Sequence, residues 1–338
     1  MSELKSAIVD TCARVFAEMA RAGDDWNACY DLAAQAGLDR LLIDEESGGI
    51  GGDWSDAIAV IEESGRYALH FPIAEFLVSS AYRSLIDDPA GLITFAEQCA
   101  GRIDPLGRFS GALSGVAWGE AAEVAIGRLD GETIALRIAD GERVGRAVNP
   151  AREPRTRLNY SERTAVRLEA RDPIEILALC RAAQMAGALA ASLELSVTYA
   201  NTRVQFGRPI GKFQSVQQSL AVFAEEVTAT KAAVDGAALA LDNGNAALEI
   251  AAAKLRANRA SRIGAAIAHQ VHGAIGFTAE HPLQLLTKRL HSWRSEFGNE
   301  GFWAAHLGKA FAALGADQIW PTITQRADRN WDAERGEQ

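Results

Sequence analysis

The chain has 338 residues, of which 48% are apolar and 23% are charged, and its formal charge at pH 7 is −10. This composition is typical of a globular protein with room for two or three domains, and its acidic balance argues against nucleic-acid binding. The N-terminal residues MSELKSAIVDTCARVF lack a cationic start followed by an apolar run, and no stretch approaches about 18 uninterrupted apolar residues, so we predict a cytoplasmic protein without a membrane span.

Residues 1–90 are predicted to be helical. Apolar residues recur at helical spacing between Ala7 and Met19, and Trp26 to Ala36 predicts a second, short helix. The glycine-rich stretch EESGGIGGDW, residues 45–54, predicts a loop before a third helix that Asp53 or Ser55 caps. A further helix is predicted around Pro72 to Leu85. We therefore expect an N-terminal helical domain.

Residues 91–172 differ from the preceding segment: they contain short runs in which apolar and polar residues alternate, as is typical of β-strands. Asp130-Gly131 and Asp140-Gly141 separate the runs AIGRL, TIALRI and ERV, and each pair predicts a hairpin turn. Residues 147–161, AVNPAREPRTRLNYS, are predicted to be irregular. The segment as a whole predicts a small β domain.

Residues 173–338 return to helix. Asp172 is the predicted N-cap of a long helix that begins at Pro173, and a second apolar seam starts at Gln214 and ends at the glycine of DNGN, residues 242–245. Long helices joined by short loops predict a four-helix bundle. The predicted fold is therefore mainly α with a small β domain, in the order helical domain, β domain, helical bundle.

Several strings in this order resemble the acyl-CoA dehydrogenase family of flavoenzymes, and the resemblance covers nearly the whole chain. RVQFGRPIGKFQSVQ, starting at Arg203, is the most specific match, and HQVHGAIGFTAEHPL, starting at His269, follows at the family's distance. EESGGIGGDWSDAIAVIEESGR and FSGALSGVAWGEAAEVAI resemble the family's N-terminal loop and middle β domain. The resemblance implies a middle domain that is similar to a β-barrel.

The same resemblance implies an FAD site. The pyrophosphate of FAD needs a cation and backbone N–H donors, and a glycine lets the backbone approach it closely. In the family, the arginine turn reaches a flavin that a neighbouring subunit mainly holds. A structural alternative is that Arg203 only neutralises the end of its helix. The implied flavin contacts are Arg203, Gln205 and Phe206 at the pyrophosphate, Phe213 and Gln214 at the adenine, and Gln270, Gly273 and Ala274 in the second string.

No metal site is predicted. His269 and His272 are three residues apart, as in some metal sites, but no third ligand is near, and the family uses none. The cysteines lack CxxC spacing and predict free thiols in a reducing compartment; they are Cys12, Cys29, Cys99 and Cys180.

The chain departs from the family where the flavin ring and the thioester would lie. The Thr-Glu-Pro and Gly-Ser-Asp residues of the family are missing, and its Trp-Ile-Ser/Thr contact reads Gly115-Val116-Ala117. The reaction needs a carboxylate that removes the α-proton while flavin N5 takes the β-hydride. The two family positions for this base are occupied by Phe297 and Leu177, and Glu296 lies one residue early.

Three hypotheses follow. The first is a catalytically incomplete subunit that completes the flavin site of a homologous partner, similar to one subunit of bacterial heteromeric (α2β2) acyl-CoA dehydrogenases. The second is a self-sufficient homotetramer with Glu296 as its base, and the third is a flavin-free assembly subunit. Glu296 is alternatively a solvated loop acid. The implied partners are an acyl-CoA substrate and, as electron acceptor, an electron-transfer flavoprotein.

An oligomer is predicted under each hypothesis, because the apolar seams of the bundle exceed what one surface needs. The last helix, residues 302–314, is predicted to add four apolar side chains to an interface, namely Phe302, Trp303, Leu307 and Phe311.

Overall fold

The computed structural model describes residues 3–86, 89, 91–145 and 147–325. The remaining residues, including 326–338 of the predicted bundle, lie outside the described part. The boundaries after residues 90 and 172 stay predictions.

The N-terminal part is helical, as predicted. Asp53 caps the third helix by accepting a hydrogen bond from the amide of Asp56 at 2.7 Å. The single helix predicted around Pro72 to Leu85 is instead two short helices. The helices are α1 Glu3–Ala22, α2 Trp26–Gln35, α3 Trp54–Arg66, α4 Ile73–Val78 and α5 Ser80–Arg83.

The middle part forms two sheets that pack face to face around their own apolar core. One sheet has the strand order β1-β4-β5-β9 and the other β2-β3-β8-β6, with β7 also paired to β8. The strands are β1 Leu92–Phe95, β2 Gln98–Ile103, β3 Arg108–Ala117, β4 Ala122–Leu129, β5 Glu132–Arg137, β6 Glu142–Arg143, β7 Ala147–Val148, β8 Pro154–Thr164 and β9 Val166–Leu168.

One of the two predicted hairpin turns is wrong. At Asp130 and Gly131 the φ angles are 47° and 90°, as a tight hairpin requires, and β4 pairs with β5. At Gly141 φ is −94° and the backbone is extended, so the chain crosses from β5 to the other sheet, where β6 pairs with β8. A Cβ at Gly141 would lie 2.8 Å from the ring of Tyr160, so glycine here permits close packing.

The prediction that residues 147–161 are irregular is also wrong. They contain β7 and most of β8, which pairs with β3 along nearly its whole length. Leu158 and Tyr160 point into the core between the sheets, whereas Arg157 is exposed. The arginines and the proline make this alternation of buried and exposed residues hard to recognise in the sequence. Pro154 is compatible with the strand because it stands at the first position, where a missing N–H is tolerated.

The C-terminal part is the predicted bundle. Asp172 caps α6 by accepting a hydrogen bond from the amide of Ile174 at 2.9 Å. The long helices α6, α7 and α8 pack on one another, and α10 packs along α8. The elements are α6 Pro173–Thr202, the ribbon of β10 Val204–Gln205 and β11 Arg208–Pro209, α7 Gln214–Asp242, α8 Ala247–His272, α9 Leu283–Trp293, α10 Glu300–Leu314 and α11 Ala316–Gln325. The fold class predicted from the sequence is therefore confirmed.

Helix α6 is the central element of the fold. It is apolar and long enough to cross a membrane, but 83% of its most apolar window is buried against other parts of the chain, so it is a core helix. It approaches α3 very closely: a Cβ on Gly187 would lie 1.9 Å from the carbonyl oxygen of Glu62, and one on Gly65 would lie 2.1 Å from that of Gln184. The N-terminal helices and the bundle therefore share one core.

Trp303 does not fulfil its predicted role at an interface. Its side chain is buried within the chain and donates a hydrogen bond to the carbonyl of Phe297 at 3.0 Å. Phe302, next to it, is 51% exposed and remains available to a partner.

Candidate functional site

The turn after α6 projects from the end of the bundle. The amide of Arg203 donates to the carbonyl of Tyr199 and ends the helix, and the carbonyl of Arg203 accepts from the amide of Ile210, each at 2.8 Å. Between them, β10 and β11 are joined by Phe206 and Gly207, with φ angles of 53° and 79°. Two consecutive positive φ values describe a type I′ turn, which favours glycine at its second position.

The side chains of this turn face outward. Arg203, Gln205 and Gln214 are exposed, and the ring of Phe206 is 93% exposed. The edge of Phe206 meets the ring of Phe213 at 6.2 Å, and the guanidinium of Arg208 lies 4.2 Å from the centre of the same ring. An exposed aromatic ring beside guanidinium groups is suited to an aromatic, phosphorylated ligand.

The second predicted flavin contact also faces outward. Gln270 is exposed on the last turn of α8, and Gly273, with φ of 65°, ends that helix. A short 3-10 helix, Gly273–Phe277, follows and exposes Ala274. Added Cβ atoms at Gly207 or Gly273 would meet no heavy atom within 4 Å, so both glycines border open space. The two segments therefore offer what a flavin pyrophosphate and adenine need, namely an exposed cation and accessible backbone.

A buried group of charges lies elsewhere, between the N-terminal helices, the sheets and the bundle. We call Glu75, Glu153, Arg155, Arg181 and Glu296 the central ion network. Glu296 Oε2 accepts from Arg181 Nε at 2.7 Å, and its Oε1 accepts from an Arg155 terminal nitrogen at 2.5 Å. The other two carboxylates extend it: Arg181 also donates to Glu75 at 2.5 Å, and Arg155 to Glu153 at 3.1 Å.

Further groups complete the central ion network. The amide of Asn149 donates to both Glu296 and Glu153, at 2.9 and 2.7 Å. Arg289 lies 3.4 Å from Glu153 and donates to the carbonyl of Leu69 at 3.0 Å. With Arg289 included, three carboxylates face three guanidinium groups. Such a balanced, hydrogen-bonded set is the arrangement that buried charges require.

The network shifts the pKa of Glu296 and of a group at its edge. Burial alone would raise the pKa of Glu296, but the guanidinium groups of Arg155 and Arg181 outweigh it and hold that pKa well below the ordinary value. At its edge, burial and the charge of Glu296 raise the pKa of Glu97 to about 7. Burial lowers the pKa of Lys254, which donates to Asn258 and to the carbonyl of Trp293, to about 7.

The central ion network lies among the positions where the family resemblance puts the reacting groups. Phe297, at one expected base position, is buried with its ring centre 5.5 Å from the guanidinium carbon of Arg181, and Leu177, at the other, is buried one turn before Arg181. The side chain of Glu97 packs against Gly115, where the family has a flavin contact, so closely that a Cβ would lie 2.9 Å away.

A cavity beside the central ion network is small. The cavity lined by Glu75, Glu153, Arg181, Trp118 and Trp293 has a volume of about 10 Å³. That is room for about one water molecule, whereas sites for organic ligands usually enclose about 300–1,000 Å³. This cavity is therefore too small for an isoalloxazine ring or an acyl thioester.

The interpretation of Glu296 as a solvated loop acid is wrong, because the residue is 4% exposed. Its role as a base stays a prediction, which the geometry opposes: both carboxylate oxygens accept hydrogen bonds from guanidinium groups, and a carboxylate with a lowered pKa is a weak base. Glu300, by contrast, is a surface acid paired with Arg259 at 3.1 Å.

Comparisons with known proteins agree with this architecture. A profile of the acyl-CoA dehydrogenase C-terminal domain matches residues 170–310. The chain is 32% identical over 265 residues to the acyl-CoA dehydrogenase IpdE2 of Mycobacterium tuberculosis, an alignment that covers 77% of this chain and 79% of that protein.

Two solved structures of similar fold are both complexes of two proteins. One is the ChsE4-ChsE5 complex from Mycobacterium tuberculosis, with a TM-score of 0.84, 19% identity, and coverage of 94% of this chain and 99% of the matched chain. The other is a variant of the Tcur3481-Tcur3483 steroid ACAD, with a TM-score of 0.83, 22% identity, and coverage of 92% and 98%. At these identities the likeness concerns the fold.

Proposed function

Because the chain belongs to the acyl-CoA dehydrogenase family, we propose that it is a subunit of an FAD-dependent acyl-CoA dehydrogenase and that it completes the flavin site of a homologous partner subunit. The observation that carries this proposal is an asymmetry. The segments that would reach a neighbour's flavin are exposed, whereas the central ion network is buried and the cavity beside it measures only about 10 Å³.

In this proposal each exposed residue has a defined task. Arg203 pairs with the pyrophosphate, Gln205 and Phe206 flank it, and Phe213 with Gln214 borders the adenine. Gln270 and the backbone at Gly273 and Ala274 form the second contact. When bound, FAD supplies the hydride acceptor for α,β-desaturation of an acyl-CoA thioester. The residues of this chain hold and orient it, and the partner provides the base.

The self-sufficient alternative would need Glu296 to leave Arg155 and Arg181, which would then remain buried without a carboxylate between them. Arg181 would keep Glu75 and Arg155 would keep Glu153, but the buried group would lose one of its negative charges, which costs several kcal/mol, about as much as the loss of a buried ion pair. We therefore favour the partner-dependent function. The two-protein complexes ChsE4-ChsE5 and Tcur3481-Tcur3483 share this fold, which supports a heteromeric assembly, and the name of the second supports a role in lipid or steroid catabolism. An electron-transfer flavoprotein as acceptor and a cytoplasmic location belong to the same proposal.

The test is co-expression with a homologous, complete dehydrogenase chain, sought first among the genes that neighbour the gene of this chain. Flavin content is read from absorbance near 450 nm after gel filtration. We expect the complex to retain FAD and this chain alone to retain none. In the complex, Arg203→Ala should weaken FAD retention by roughly one to two powers of ten, because a charge-assisted hydrogen bond contributes about 1.5–3 kcal/mol.

The matched control is Arg40→Ala, which removes a 55% exposed arginine side chain in the N-terminal part. It should leave the flavin content unchanged. If the purified chain alone holds stoichiometric FAD and its flavin bleaches anaerobically on adding an acyl-CoA, the partner-dependent function is wrong. If neither the chain nor the complex holds FAD, the flavin-free assembly role replaces it.

A further inference from the structure

The two exposed segments belong to different helices, yet a group of stacked rings joins them. Tyr199 lies on the last turn of α6 and its carbonyl accepts the amide of Arg203 at 2.8 Å. His272 is the last residue of α8 and directly precedes Gly273. The two rings stack with centroids 4.7 Å apart and an interplanar angle of 24°.

His281 closes this group from the segment before α9. Its ring meets His272 at 4.7 Å and Tyr199 at 6.5 Å, both edge to face. Its Nδ1 accepts a hydrogen bond from the amide of Leu283 at 3.2 Å, which ties the ring to the start of α9. We call Tyr199, His272 and His281 the ring cluster.

The ring of His272 is held firmly in place. It is 4% exposed, and its Nδ1 lies 2.8 Å from the carbonyl oxygen of Ala268, so Nδ1 carries the proton and donates. Burial, followed by the neighbouring His281, lowers its pKa, although the bond to Ala268 acts in the opposite direction. Its Nε2 is buried without a hydrogen-bond partner among the described residues. The ring therefore contributes mainly through its stacked faces and its fixed orientation.

We propose that the ring cluster positions the two flavin-facing segments relative to each other, with Tyr199 and His272 as positioning residues. The identity of the ligand in this inference rests on the proposed function, whereas the coupling between the two segments does not. The stack lies one helical turn before Arg203 and one residue before Gly273. A shift of one helix end relative to the other therefore disturbs this ring contact. Without the stack the two helix ends would be held together less firmly, and a ligand that bridges the two segments would have to order both.

The test measures hydrogen exchange of the purified full-length chain without flavin or partner. His272→Ala removes the stacked ring and should speed exchange at the amides of Arg203 and Ile210 by about three- to tenfold, the factor expected from losing one aromatic pair. His272→Phe keeps a ring of similar shape and should restore slow exchange. Coupling is reciprocal, so Tyr199→Leu should speed exchange in residues 273–277 by a similar factor, while Tyr199→Phe should not.

Exchange that rises only in residues 269–277 in His272→Ala, with Arg203 and Ile210 unchanged, would show that His272 serves its own helix end and would overturn the inference. Circular dichroism of each variant confirms that it is folded, and the two Phe variants keep the test decisive if an aliphatic variant is unstable. FAD retention by the co-expressed complex is the second measurement, in which His272→Phe should restore what His272→Ala loses. If hydrogen exchange in the two segments is coupled but no complex of this chain holds FAD, the proposed function is refuted and the positioning role of the ring cluster stands.

Discussion

Glu296 provides the sharpest test of the central ion network, because two guanidinium groups meet on one carboxylate. Replacing it by glutamine keeps the size of the side chain and one acceptor oxygen, but removes the negative charge between Arg155 and Arg181. The side chains of both arginines are at most 8% exposed, so water cannot take over the role of the carboxylate. We expect Glu296→Gln to lower the free energy of unfolding strongly.

The size of the effect follows from the burial. Removing one member of a buried ion pair costs about 3–5 kcal/mol. With about 2.1 cal/mol/K of unfolding entropy per residue, a chain of 338 residues gives about 0.7 kcal/mol/K. If the chain unfolds in one transition, the Tm of Glu296→Gln should therefore fall by roughly 4–7 °C.

The assay is urea and thermal unfolding at pH 7, with Glu300→Gln, at the start of α10, as the matched control. Glu300 pairs with Arg259 at 3.1 Å, but their side chains are 32% and 51% exposed, so this pair contributes about 0–1 kcal/mol. A double-mutant cycle of Glu296→Gln with Arg181→Met should show non-additive losses, because the residues are in contact. Equal stabilities of Glu296→Gln and Glu300→Gln would refute the reasoning that the network is a buried, charge-balanced unit.

Three further expectations concern stability and assembly. Because the pKa of Glu296 is lowered in the folded chain, its stabilisation is present above its ordinary value of 4.5 and is lost as the pH falls below it, so acid titration of stability should be shallower in Glu296→Gln than in wild type. Gly187→Ala should destabilise the chain by about 1–3 kcal/mol in urea unfolding, because the methyl group meets the backbone of α3, whereas Gly236→Ala on α7, where a Cβ meets nothing within 4 Å, should stabilise it by about 0.5–1 kcal/mol. Light scattering after gel filtration should give a mass above the 36.1 kDa of one chain, and a monomer at micromolar concentration would contradict an interface formed by exposed apolar side chains such as Phe206 and Phe302.

Local signals in the sequence predicted local structure well. Asp172 followed by Pro173, and Asp130 followed by Gly131, specify a helix start and a hairpin turn within a few residues, and both are confirmed. The same reasoning failed at Asp140-Gly141, where the neighbouring Ile138 is drawn into the core between the sheets and the chain changes sheet. A turn signal fixes a bend, but the burial of its neighbours decides which strand the chain meets next.

The central ion network could not be assembled from sequence spacing, because its members come from distant parts of the chain. Glu75 and Arg181 are 106 residues apart, and Arg155 and Glu296 are 141 residues apart. In the sequence, Glu296 is distinguished only by its place beside Phe297. The two arginines that bind it lie in a segment predicted to be irregular and in a core helix.

A weaker signal was nevertheless present. Arg181 is the lone basic residue of α6, and Glu75 is the lone charge in the apolar run of α4, IAEFLV. A single charge on a helix that must be buried needs an opposite charge from another buried element, since an unpaired one would cost several kcal/mol. Lone charges in the apolar parts of helices therefore predict one another, and here the charge on α6 and the charge on α4 form a direct hydrogen bond between Arg181 and Glu75.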